Sequence, residues 1–156
     1  MAKRLAQPSI DVEAVVAHVF RATTADTFMG LRLGMTASNV KRAIGAKGAR
    51  KSADRSLLWE RPGPCDLTEQ IGASFRPGRS AKSDLIAAEL IFLSRDAGAE
   101  KPLRALVKEL RAELCRRFAP IEDKSTFRFV VDGRVNRLWV GSGTSYAKIT
   151  LSDPTF

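Results

Sequence analysis

Few side chains in this sequence are of a type that does chemistry, and their spacing groups them poorly. His18 is the only histidine, and Cys65 and Cys115 are the only cysteines. A Ser/His/Asp or Cys/His site needs an imidazole held beside a hydroxyl or thiol. His18 instead falls in a helical apolar pattern with no glycine-rich elbow nearby, and reads as a partly buried helix residue. Two cysteines and one histidine are too few for a zinc site, so neither metal nor cofactor is expected. Gly141-Ser142-Gly143-Thr144-Ser145 suggests a phosphate loop but lacks the lysine of one. It also precedes a strand rather than a helix N-terminus, so it reads as a turn. The carboxylate pairs Glu122-Asp123 and Asp66 with Glu69 are placed in loops beside Lys124 and Thr68. They read as solvated rather than as an acid–base couple. The residues thus point away from an enzyme.

Charge is the stronger signal. The chain carries 26 bases against 17 acids, a formal net charge of +9. Between Lys41 and Arg61, seven bases (Lys41, Arg42, Lys47, Arg50, Lys51, Arg55, Arg61) face only Asp54 and Glu60. A second basic stretch, Arg76 to Lys82, contains Arg79. Such a surface attracts nucleic acid, anionic lipid or an acidic protein face, and net charge alone also serves solubility. Lys47, Arg50, Lys51, Arg55, Arg76, Arg79 and Lys82 are therefore the candidate partner or polyanion contacts. Aromatic residues on strands (Trp59, Phe75, Phe127, Phe129, Trp139 and Tyr146) could add stacking, although strand aromatics more often build a core. Thr126 to Gly133 does not match the consensus of an RNA-recognition strand.

The elements that must position these residues follow from apolar periodicity. Ile10 to Arg21 repeats helically, with Ser9 as expected N-cap. Thr36 to Ile44 forms a second helix, capped by the Thr36 hydroxyl and closed by a left-handed Gly45. Lys47 to Ser56 reads as a basic loop. Leu57–Glu60, Ile71–Phe75 and Leu85–Leu93 read as strands, the last two joined by a basic hairpin loop. Leu103, Leu106, Val107, Leu110, Leu114 and Phe118 make one continuous stripe on a helix from Glu100 to Phe118. Phe127–Val131, Val135–Val140 and Tyr146–Leu151 complete the pattern, with Asp132-Gly133 as a type I′ hairpin turn. The expected fold is α+β, order α-α-βββ-α-βββ, with helices on one face of an antiparallel meander sheet. The length suits one domain over 1–156, with residues 1–8 expected to be disordered.

The segment Phe28-Met29-Gly30-Leu31-Arg32-Leu33-Gly34-Met35-Thr36 resembles the opening of small envelope α+β domains. These include the SmpA/OmlA (BamE) lipoproteins and the β-lactamase-inhibitor-like modules. The terminal Leu151-Ser152-Asp153-Pro154 resembles the end of such chains. The resemblance implies an accessory or inhibitory module that recognises a partner through exposed sheet and loop surfaces. Residue 39 is Asn where those families often carry an acidic capping partner. No signal peptide or lipobox cysteine follows Met1, so the chain as written is expected to be cytoplasmic, or periplasmic if it is a mature or mis-started form. No apolar run is long enough for a membrane-spanning helix.

Cys65 and Cys115 would close a loop of about 50 residues if paired, worth about 4 kcal/mol in a chain-entropy account. Two separate thiols are expected, with Cys115 buried beside Leu114 and Cys65 more exposed. The expected function is a non-enzymatic module that engages another protein through its sheet face or basic loops. The alternative is a nucleic-acid-associated protein using the 41–61 and 76–82 regions. Oligomeric state is left open.

Overall fold

Alternation of apolar and polar residues along each strand produces a sheet with one dry face and one wet face. The computed structural model describes residues 10–45, 47–53, 56–76, 84–96, 98–120 and 125–154. The chain order is α1 (Val12–Phe20), α2 (Ala37–Ile44), β1 (Arg50–Ala53), β2 (Ser56–Pro62), β3 (Thr68–Arg76), β4 (Asp84–Leu93), α3 (Glu100–Arg117), β5 (Ala119–Pro120), β6 (Thr126–Val131), β7 (Arg134–Ser142) and β8 (Tyr146–Ser152). A 3-10 turn, Pro64–Asp66, joins β2 to β3. The α+β class and antiparallel sheet match the expectation, as do its six longer strands. Two short edge strands, β1 and β5, are additional.

All eight strands lie in one antiparallel sheet, in the order β1-β2-β3-β4-β8-β7-β6-β5. Two four-stranded meanders thus meet where β4 pairs with β8, with Leu90 opposite Ile149. Helix α3 is the connection that lets the second meander return to the first. Its stripe, Leu103, Leu106, Val107, Leu110 and Leu114, is fully inward. It packs with Val15, Val19 and Phe20 of α1 over Ile71, Leu90, Phe92, Phe127, Leu138 and Ile149 of the sheet. Val40 of α2 joins the same core, and Trp59 Nε1 donates to the Gly45 carbonyl at 2.7 Å.

The segment between α1 and α2 acts as a clasp. Phe28 and Leu31 exchange backbone hydrogen bonds around Met29 and Gly30, both at positive φ, as a type I′ turn requires. Leu31 and Leu33 are buried, and Leu33 N–H donates to Oδ1 of buried Asn136 on β7 at 2.8 Å. Gly34 and Met35 exchange backbone hydrogen bonds with Leu85 at the start of β4. Thr36 caps α2 as its sequence indicates, accepting from Asn39 N–H at 3.2 Å.

Several local expectations are corrected. The N-cap of α1 is Asp11, which accepts from Ala14 N–H; Ser9 and the expected disordered residues 1–8 lie outside the described residues. Gly45 has φ 120° and ψ 134°, a positive-φ conformation that favours glycine but lies outside the left-handed helical region expected. The 47–56 segment is not all loop, because Arg50–Ala53 pairs with β2 as an edge strand, a position where charged side chains are tolerated. Gly141 and Ser142 belong to β7, so the turn before β8 is shorter than the glycine spacing suggested. Cys115 is exposed and Cys65 half-buried, and both are free thiols. Residue 115 lies 100° around the helix from Leu114, which carries it off the inward stripe.

Candidate functional site

Among the described residues the one buried carboxylate is Glu69, which projects from β3 into the covered side of the sheet. Its side chain is 1% exposed, and it is bracketed by Arg61 Nε at 2.5 Å and His18 Nε2 at 2.7 Å. This overturns its reading as a solvated loop residue. Thr68–Arg76 is a strand, and its alternation carries residue 69 to the same side as Ile71 and Ala73. Arg61 Nη1 also donates to the Ile44 carbonyl, tying α2, β2, β3 and α1 together. His18 packs edge-on against Phe92. Cys65 is not part of this group: its thiol donates to the Asp11 carbonyl at 3.9 Å, about two helical turns from His18. The geometry is that of an ion cluster in which the imidazole is engaged by a carboxylate rather than by a hydroxyl or thiol. No group of three or more potential metal ligands occurs among the described residues.

The nominated basic residues separate. Lys47 is exposed before β1, and Arg50 is exposed on β1, its guanidinium 3.7 Å from Glu60. Lys51 is in β1, and Arg76 ends β3. Arg55, Arg79 and Lys82, with the hairpin loop 77–83, lie outside the described residues, as do Glu122, Asp123 and Lys124. The register places the paired strand ends Ala53↔Ser56 and Arg76↔Asp84 at the same end of the sheet. Arg50 points elsewhere, into a cleft of about 550 Å³ shared with Glu60, Arg61, Asp66 and Arg95. Acids and bases alternate around that cleft, which removes the concentrated field an anion site needs. A longer groove of about 800 Å³ runs between α1 and α3, floored by Val12, Val16, Phe20 and Ala105. Arg117 lies over the Phe20 ring at 4.9 Å and is held there by Glu113.

The second face of the sheet carries the side chains that alternate with the core-facing ones. Among the described residues no helix covers it. It presents Leu58, Gln70, Glu89, Ile91, Lys148 and Thr150 across its centre. Its β6–β7–β8 half is different in character. Trp139 is 41% exposed and Val130 52%, the only large apolar side chains so exposed among the described residues. The Trp139 ring lies across Gly141, two residues along the same face, where any Cβ would collide with it. Lys148 Nζ stands 5.8 Å from the ring centroid. Arg128 and Arg137 oppose each other directly across β6 and β7.

Comparison of the chain with protein-family models, curated proteins and solved structures gives no match. The open-face group was not among the nominated site residues. Trp139 is one of six strand aromatics that the sequence leaves between stacking and core, and only the strand pairing reveals which face it occupies. Gly141 was the available signal, since a glycine within a strand marks a place where another group lies close to the backbone.

Proposed function

We propose that this chain is a binding module, not an enzyme, that engages another protein through the uncovered face of its sheet. The observation that carries the reading is an eight-stranded sheet dry on one side and, among the described residues, covered by no helix on the other, with Trp139 and Val130 exposed there. Helix-free antiparallel faces are ordinarily polar throughout, and exposed large apolar groups rimmed by polar ones are characteristic of interaction surfaces. The only histidine being held by Glu69 supports a binding rather than a catalytic role. The resemblance of the Gly30–Thr36 segment to BamE-like and β-lactamase-inhibitor-like modules supports the same reading.

A photo-cross-linking residue at Gln70 or Thr150, compared with one at Ala105 in the α1–α3 groove, tests it in cells of the source organism. Protein adducts are expected from the two sheet positions. Adducts from Ala105 alone would move the interface to the groove, and adducts from none of the three would reject a protein-binding role. The second reading, nucleic-acid association, is favoured by the register that brings the β1–β2 and β3–β4 strand ends, in the two basic stretches of sequence, to one end of the sheet. No helix among the described residues is long and apolar enough to cross a membrane.

A further inference from the structure

Charges on the open face are mostly paired across strands. Lys148 lies 3.7 Å from Glu89, and Arg50 lies 3.7 Å from Glu60. Arg128 and Arg137 break this pattern. They are direct cross-strand partners, and no carboxylate is within ion-pair distance of either among the described residues. Like charges in directly opposed positions destabilise a sheet. An anion seated between the two guanidiniums converts that repulsion into two charge-assisted hydrogen-bonding groups converging on one ligand. The neighbouring pairs on the same face are Val130↔Val135 on one side and Thr126↔Trp139 on the other. The surface therefore runs apolar, cationic, aromatic, in steps of two residues, or about 6.8 Å.

We infer that this half of the face receives an extended, acidic segment of a partner protein, deepening the protein-binding reading on which it rests. Alternate side chains of an extended peptide are also about 6.8 Å apart, so apolar–x–acidic–x–aromatic reproduces the spacing of the three pairs. The carboxylate lies between Arg128 and Arg137. The flanking apolar groups cover Val130 and the exposed face of Trp139, whose ring is already fixed by Gly141 and so loses little entropy on binding. Polynucleotide is the less suitable occupant. Its charge is continuous, whereas beyond this patch the same face offers little free positive charge, Lys148 and Arg50 being paired with Glu89 and Glu60.

The test is an amide-resolved NMR titration of the full chain with a blocked peptide containing Leu-Ser-Asp-Ser-Phe. Parallel titrations use the same peptide with Lys for Asp, and a fifteen-nucleotide oligo-dT. Shifts are expected at Arg128, Arg137 and the Trp139 indole with the acidic peptide alone. Arg128→Glu with Arg137→Glu is expected to weaken binding by about tenfold or more, because each attraction becomes a repulsion. Lys101→Glu with Lys108→Glu on α3, an equal change in net charge, leaves it unaltered. Arg137→Gln, which relieves the like-charge pair, should keep or raise the melting temperature while still weakening binding, which separates recognition from folding. Absence of shifts at about 1 mM peptide, weaker than any working affinity, overturns the inference, as do shifts confined to other surfaces. Tighter binding of oligo-dT to the same residues replaces the acidic segment by nucleic acid. If the peptide fails while Thr150 still cross-links to a protein, the acidic chemistry falls and the protein-binding reading stands.

Discussion

At the scale of single residues, burial separates side chains that hold the fold from those left for a partner. Leu110 is 1% exposed at the centre of the α3 stripe. Leu110→Ala is expected to cost about 2–5 kcal/mol in denaturant unfolding; a loss below about half a kcal/mol would place it outside the core. Glu69 presents the opposite problem, a charge kept in the interior by two partners. Glu69→Gln is expected to destabilise by an amount near or below the lower end of the ~3–5 kcal/mol typical of broken buried pairs. The reason is that Arg61 and His18 are 39% and 30% exposed and regain water when released. Glu113 accepts hydrogen bonds from Arg117 and Arg116, which hold its carboxyl below the usual range against a smaller opposing effect of burial. A depressed carboxylate stabilises the fold above its unfolded value of about 4.3 and loses that contribution as pH falls through the lower folded value. The stability difference between the parent and Glu113→Gln should therefore shrink as pH falls below about 5. A difference constant over that range would contradict the assignment.

At the scale of elements, the clasp between α1 and α2 shows why its glycines are needed. Gly34 has φ +91°, and a Cβ there would come within 3.0 Å of Arg134 Nη1 and 3.3 Å of Asp84 Oδ1. Gly34→Ala is expected to cost about 1–3 kcal/mol through strain at a positive φ. Part of that cost should vanish in an Arg134→Ala background, as a double-mutant cycle would show. Full additivity would mean that backbone conformation alone sets the penalty. Strands β2 and β7 divide the two tryptophans between environments, since Trp59 is 1% exposed and Trp139 41%. Acrylamide should quench one tryptophan and spare the other, and Trp139→Phe should remove the quenchable component. Two equally protected tryptophans would remove the aromatic from the proposed interface.

At the scale of the whole molecule, net charge and fold give separable expectations. If the basic hairpins bind nucleic acid, about six phosphate contacts give a log–log salt slope near −4 to −5. Replacing Arg50, Lys51 and Arg55 by Ala should then flatten it by about one unit for each lost contact, with the melting temperature nearly unchanged. An equal loss on replacing Arg104, Lys108 and Arg111 would mean general attraction to a chain of charge +9 rather than a dedicated site. The free thiols offer an independent check of the tertiary arrangement. Ellman's reagent should react with Cys115 in the native protein faster than with Cys65, and intact mass should not change with reductant.

The sequence by itself determined the local order: a stripe at helical spacing on α3, alternation along six strands, the Asp132-Gly133 turn and the Thr36 cap. Each of these depends on residues within a few positions of one another, where periodicity and turn chemistry act directly. What it could not determine was decided by pairing between distant strands. The return of β8 to β4 creates one eight-stranded sheet, and its register sets Arg128 against Arg137 and Trp139 beside Lys148 on the open side. The pairing of β3 with β2 and β4 sets Glu69 beside Arg61 and Phe92 on the covered side, where it meets His18, 51 residues away. Local pattern tells only that alternate residues share a face. Which face is covered depends on where α1 and α3 pack, and only the assembled sheet decides that.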